Sequence, residues 1–157
     1  NKTTYTIYTQ SPETYLGLSR MEGLASPEEV KEDQPVLFTS PESLPLNAFS
    51  FKGTWTVSKE SAAPAKGAEL QYHFKARNVF LVMKPKTADV VGKVTVMLDG
   101  KLIPVSPMPS TDVDANSMIT VDKDRLYILQ TLETLGEHTI QLIYNDDNVE
   151  VFAFTFG

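Results

Sequence analysis

The sequence contains no cysteine and only two histidines among 157 residues. Without a thiol the chain has no thiolate nucleophile and no disulfide, and without a Cys/His set a closed zinc site is not expected. Basic residues are also in deficit, with 14 Lys and Arg against 20 Asp and Glu and a net charge of −6. That balance excludes the basic stripe of a nucleic-acid surface and the polybasic patch of a membrane-surface protein. No apolar run approaches the ~18 residues that cross a bilayer as a helix. Gly-x-Ser-x-Gly and phosphate-loop patterns are likewise missing. We therefore expect no catalytic residue, cofactor or metal on this chain. Asn1 is not a Met, nor does a signal-like apolar segment follow it, so a mature product or a piece of a longer chain is expected.

What is present reads as one β-domain. A length of 157 residues with 41% hydrophobic residues suffices to bury a core without staples. Residues 1–45 are rich in Ser, Thr, Pro and Glu and read as a linker and wrapping segment. Ser-Pro-Glu recurs there at Ser11, Ser26 and Ser40. The middle copy, with Glu29 three residues after Ser26, predicts a capped helix start, and "TTYTIYT" predicts an edge strand. Residues 46–157 carry the sandwich pattern. "ELQYHFKA" alternates, with Leu70, Tyr72, Phe74 and Ala76 on one face and Gln71, His73 and Lys75 on the other. "NVFLVM" reads as a strand covered on both sides. In "KVTVMLDGKLI", Val94, Val96 and Leu98 point inward before an Asp99-Gly100 hairpin turn. "MITV", "RLYIL" and a closing hairpin around Asn145–Asn148 complete the set. The fold class is all-β: an antiparallel sandwich with short helical turns near the N-terminus.

Few constellations carry chemistry. Trp55 in "GTWTV" reads as a core residue; exposed, its flat ring would suit a sugar. "TDVDANS" spaces Asp112, Asp114 and Asn116 like a calcium loop, but Ser117 and Lys123 stand where such a loop needs Gly and Glu. A solvated acidic loop is the reading, with a looser site built on backbone carbonyls as its alternative. "VDKDRLYIL" puts Arg125 and Tyr127 on one strand face. Arg125 either pairs with Asp122 or Asp124 on the surface or grips a ligand with its planar fork. Arg125 and Tyr127, with Asp112 and Asp114 in the preceding loop, are the ligand-binding candidates. His73 sits on a polar face, and His138 follows a turn glycine.

"ETYLG" (Glu13–Gly17), "LPLNAFSFKGTW", "ARNV", "VMLDGK" and "FAFTFG" together resemble the C-terminal domain of DipZ-type proteins, across Glu13–Gly157. In those fusion proteins a cytochrome c biogenesis-like membrane domain precedes a thioredoxin-like domain and a last β-sandwich. The resemblance implies a jelly-roll of the galactose-binding or carbohydrate-binding-module type. It also implies an extracytoplasmic address, a thioredoxin-like domain of the same parent chain as partner, and "SPETYLG" as the lead-in from that domain. Two functions follow as expectations. The chain binds a glycan or similar cell-envelope ligand, or it docks on and positions its thioredoxin-like neighbour. Exposed aromatics in a concave face would favour sugar, and a flat apolar patch would favour protein.

Overall fold

Alternation of apolar and polar side chains organises the two longest strands and, through them, the molecule. The computed structural model describes residues 10–103 and 111–157. The predicted edge strand at "TTYTIYT" lies outside those residues. In chain order the strands are β1 (Thr14–Tyr15), β2 (Pro35–Phe38), β3 (Phe49–Val57), β4 (Ala62–Pro64) and β5 (Glu69–Pro85). They continue as β6 (Gly92–Leu98), β7 (Lys101–Leu102), β8 (Met118–Val121), β9 (Arg125–Tyr144) and β10 (Val149–Phe156). A single 3-10 turn, Leu18–Arg20, is the helical content among the described residues. The expected all-β antiparallel sandwich is what the chain forms.

β5 runs through both layers. Its first half pairs with β3 on one side (Phe49↔Tyr72) and with the end of β9 on the other (Tyr72↔Ile140). Its second half pairs with β10 (Leu81↔Phe154) and with the start of β9 (Leu81↔Tyr127). Between the halves the β5–β9 register slips at Ala76/Asn78 and again at Val79/Phe80. Each slip leaves unpaired residues on β9 and bends the ladder. The inward phase changes with it. Leu70, Tyr72, Phe74 and Ala76 are buried before the slip, and Val79, Leu81 and Met83 after it. "ELQYHFKA" thus behaves as predicted, but "NVFLVM" is not covered on both sides: Phe80 and Val82 are half-exposed.

The first layer is β2, β3, the first half of β5, the end of β9 and β6, with β7 and β8 both on β6. The second is β1, β10, the second half of β5 and the start of β9. Short β4 joins β3 to β10. Aromatic side chains fill the space between the layers. Tyr72 meets Phe154 at 5.1 Å and Phe156 at 4.9 Å between ring centroids, and Trp55 meets Tyr144 edge-on at 5.5 Å. Trp55 is 0% exposed, its indole N–H shared between the Lys52 and Glu69 carbonyls. It is a core residue, as read, and truncation to Ala would cost about 3–5 kcal/mol.

Two local expectations give way. The predicted helix start at Ser26 does not form, because its hydroxyl is used elsewhere. It donates to the Phe51 carbonyl at 2.8 Å and accepts the Phe51 N–H at 3.0 Å, tying the leading segment to β3. Glu28 in the same copy accepts from the Thr39 N–H and hydroxyl. The expected closing hairpin at Asn145–Asn148 is instead a crossover, since β9 pairs with β5 and β6 while β10 pairs with β1, β4 and β5. Asp146 holds the crossover by accepting the N–H groups of Lys93 and Asn148, each at 2.9 Å. The Asp99-Gly100 turn is as predicted, with φ of 52° and 79° joining β6 to β7.

Residues 10–45 belong to the same unit. Leu16 and Phe38 lie in the core, and Ser11 donates to the Asn47 side chain while its N–H reaches the Lys75 carbonyl. At Gly17 any side chain is excluded: a Cβ would stand 2.2 Å from the Glu60 carbonyl carbon.

Candidate functional site

Three of the four ligand candidates from the sequence, Asp112, Arg125 and Tyr127, fall into a closed clamp. Asp112 and Arg125, 13 residues apart, meet as an ion pair: Nη2 donates to Oδ1 at 3.1 Å and Nη1 to Oδ2 at 3.3 Å. Asp112 Oδ2 also accepts the Ile128 N–H at 2.7 Å. Burial opposes ionisation of Asp112, but these hydrogen bonds and the guanidinium's charge outweigh it, so its carboxyl lies below the ordinary value. Arg125 is held above its own, chiefly by the hydrogen bond to Asp112. The guanidinium lies 3.9 Å from the Tyr127 ring centroid, and Tyr127 is 0% exposed. Its hydroxyl donates to the Lys123 carbonyl at 2.7 Å and accepts the N–H groups of Asp122 and Lys123 at 3.1 Å. Arg125 therefore pairs with Asp112, not with Asp122 or Asp124, and Tyr127 has no ring face toward solvent. Asp114 takes a separate role. Its Oδ1 accepts from the Asn116 and Met118 N–H groups, shaping the turn before β8. Among the described residues no three acidic or imidazole groups gather as a metal set.

A second arginine–tyrosine stack lies on β1, across β10 and β5 from the start of β9 in the same layer, and it is open. The Arg20 guanidinium sits 3.7 Å from the Tyr15 ring centroid. Tyr15 is half-buried, and its hydroxyl donates to Glu13 Oε1 at 2.8 Å, a bond that raises the phenol above its ordinary value. Arg20 has no ion-pair partner among the described residues. Around this stack opens a cleft of about 590 Å³ lined by Glu13, Tyr15, Ser19, Arg20, Glu22 and Asn47. β1 and the 3-10 turn place Glu13, Tyr15 and Arg20, while Gly17 lets the backbone between them pass against Glu60. Asn47 arrives from a distant stretch in a left-handed conformation (φ 70°), held by its N–H to the His73 carbonyl and by Ser11. The cleft offers carboxylates, a guanidinium, a carboxamide and an aromatic edge on one wall.

Reasoning from residue spacing missed this cleft. Tyr15 and Arg20 are five apart across a turn, a separation with no simple periodicity, and Asn47 joins through tertiary contacts alone. The signal available was the quoted "ETYLG" and "LPLNAFSF" stretches, which supply Glu13, Tyr15 and Asn47.

His73 lies on the polar face of β5 as the alternation expects, but His138 does not open a strand after a turn glycine. Gly136 and His138 both lie inside β9, opposite Ala76 and Phe74, because the strand runs on through the slip in register. Both histidines are engaged. The His73 ring lies between the Leu44 carbonyl (Nδ1, 2.8 Å) and Glu137 (Nε2, 3.1 Å). His138 Nδ1 lies 2.6 Å from Asp99 Oδ2, while Asp99 Oδ1 accepts the Thr139 N–H. Burial works against the Asp99 carboxylate, but His138 and the Thr139 N–H more than compensate, and its carboxyl lies below the ordinary value.

Comparison with known proteins gives a family and a partial fold likeness. No curated protein matches the chain. Among solved structures it is similar to a family two carbohydrate esterase from Cellvibrio japonicus, with a TM-score of 0.45 and 15% identity over 59% of this chain and 24% of that one. It is also similar to a family two carbohydrate esterase from Clostridium thermocellum in complex with cellohexaose, with a TM-score of 0.47 and 14% identity over 62% of this chain and 27% of that one. The chain thus spans about a quarter of the length of those structures, and the likeness is one of partial backbone course. The sequence model of the family described as "Thioredoxin like C-terminal domain" matches residues 11–157, which takes in every strand described above. This bears out the expected association with thioredoxin-like proteins, at a coarser level than DipZ. The chain belongs to the thioredoxin-like C-terminal domain family.

Proposed function

We propose that this chain is a non-catalytic accessory domain of a DipZ-like thiol–disulfide redox protein, extracytoplasmic, whose cleft holds a polyhydroxyl ligand such as a cell-envelope glycan. The observation that carries the ligand reading is the open stack of Arg20 on Tyr15, set in a cleft whose lining includes Glu13, Glu22 and Asn47. Carboxylates accept hydroxyl hydrogens, and the guanidinium and carboxamide donate. Glu13 and Glu22 against Arg20 leave the cleft wall with one net negative charge, which disfavours an anionic ligand. With few groups and an open shape, affinity belongs in the millimolar to micromolar range, about −4 to −8 kcal/mol. The parent's thiol chemistry is assigned to its thioredoxin-like domain, because this chain has no cysteine.

The test is an NMR titration with envelope monosaccharides and polysaccharide fragments on wild type, Arg20→Ala and Arg125→Ala. Expected are shifts at residues 13–23 and at Asn47 that vanish in Arg20→Ala and persist in Arg125→Ala. Shifts confined to residues 112–127 and lost in Arg125→Ala would return the site to the acidic loop. The absence of shifts with every sugar would end the glycan reading.

A second function, docking on the thioredoxin-like neighbour, is favoured by a different observation. The half-exposed aromatics Phe80 and Phe152 lie on β5 and β10, on the outward side of the second layer.

A further inference from the structure

The outward faces of the two layers differ in chemistry. On the first layer, β5 and β9 present Gln71, His73 and Lys75 opposite Gln141, Thr139 and Glu137, a solvated face of the ordinary kind. On the second, cross-strand partners build apolar rows. Tyr15 stands opposite Ala153, Ala153 opposite Val82, and Val82 opposite Leu126; beside them Phe80 stands between Thr155 and Ile128. Opposite residues of an antiparallel pair point to the same side. Phe152, at the β10 bulge, lies beside the Lys84–Glu150 ion pair with the Lys84 Nζ 5.9 Å from its ring centroid. Leu126 is 42% exposed, and Phe80, Val82, Ile128 and Phe152 are half-exposed.

We propose that this apolar face, formed by Phe80, Val82, Leu126, Ile128 and Phe152, is where the thioredoxin-like domain of the parent chain docks. Two observations select that occupant. The first is where the chain comes in. The Gln10 side chain donates to the Phe156 carbonyl at 3.3 Å, and the Leu16 N–H donates to the Phe152 carbonyl at 2.8 Å. The lead-in therefore runs along β10, the strand that borders the face. A domain joined ahead of Gln10 thus enters beside this face. The second is size. Five part-covered side chains fall well short of the ~800 Å² per partner of a standard stable interface. A free partner or a second copy would not stay bound to so small a patch. A tethered neighbour at an effective concentration of about millimolar would.

The inference rests on the reading of this chain as partner to a thioredoxin-like domain. The experiment uses the tandem of the parent's thioredoxin-like domain and this chain with its native linker, beside the 157-residue chain alone. Nitrogen-15 relaxation gives the tumbling time of each half, and methyl spectra report Val82, Leu126 and Ile128. We expect one shared tumbling time, methyl shifts on those three residues relative to the chain alone, and loss of both in Leu126→Lys. Val82→Lys serves as a second variant, and unchanged thermal unfolding of the isolated variants excludes a folding defect. Independent tumbling of the unmodified tandem would overturn the docking and leave the accessory-domain reading intact. Contact shifts on Gln71, His73 and Lys75 instead, or concentration-dependent self-association of the chain alone through this face, would overturn it too. An open reading frame without a thioredoxin-like domain would remove the reading beneath it.

Discussion

Two arginines in this molecule lie over tyrosine rings at nearly the same distance, 3.7 Å for Arg20 on Tyr15 and 3.9 Å for Arg125 on Tyr127. Their surroundings make them opposites. In the second stack the guanidinium and the phenol are bound internally: Asp112 takes the guanidinium by two nitrogens, and the phenol closes the Asp122–Lys123 turn. In the first, among the described residues, the phenol is bound only by Glu13 and the guanidinium faces a cleft without an ion pair. A stack whose hydrogen bonds are all internal spends its interactions on the fold. One left open keeps them for a ligand. The pairing that looked most ligand-like along the chain is the structural one.

Truncating the rings breaks this comparison with the largest effect. Tyr127→Ala removes a fully buried ring and the hydroxyl that caps a turn, so urea unfolding should show a loss of about 3–5 kcal/mol. Tyr15→Ala removes a half-buried ring at the end of a two-residue strand and should cost less than about 1 kcal/mol. Equal losses would mean that Tyr15 is as much a core residue as Tyr127, and the open stack would lose its meaning.

The carboxylates give the next contrast. Asp112→Ala frees Arg125 and leaves the Ile128 N–H without its acceptor, a buried-donor penalty of about 1–3 kcal/mol. Glu13→Ala removes only an exposed acceptor of the Tyr15 hydroxyl and should fall within about 0.5 kcal/mol of wild type. Chemical denaturation of both variants checks the pair. A Glu13 loss as large as that of Asp112 would make both stacks structural.

How much of this was legible along the chain depends on the range of the interaction involved. Period-two alternation at Leu70–Ala76 is set by neighbours on one strand, and the Asp99-Gly100 turn by two residues with positive φ; both read correctly. Ser26 did not, because its best partner is the Phe51 backbone, 25 residues away, and that contact defeats the local helix signal. The Asn145–Asn148 crossover likewise looks like a hairpin turn until the layers are known, since strand pairing is decided by which faces need covering. Arg125 and Tyr127 were visible as a pair, but Asp112, their deciding neighbour, comes from the far side of a loop. The cleft residues from Glu13 to Asn47 were legible only as parts of a family signature, because no secondary-structure period links them.

Acid titration sharpens the comparison by the smallest effect. The Asp112 carboxyl lies below its ordinary value in the folded chain, because the hydrogen bonds and charge of Arg125 and the Ile128 N–H outweigh its burial. A group depressed on folding contributes stability that is fully present above its unfolded value, near 3.9, and is lost as pH falls through the folded one. Wild type and Asp112→Asn should therefore differ most from about pH 5 upward, and the difference should shrink steadily below about pH 4. The pair is partly open to water, with 41% of the Arg125 side chain and 25% of the Asp112 side chain exposed. The pH-dependent part should then stay within about 1 kcal/mol and diminish as salt screens it. Denaturation midpoints of the two proteins between pH 3 and pH 7, at low and high salt, measure it. A difference that stays constant down to pH 3 would show that Asp112 acts through its shape and its bond to Ile128 and not through its charge, and the closed stack would then be held by packing rather than by the ion pair.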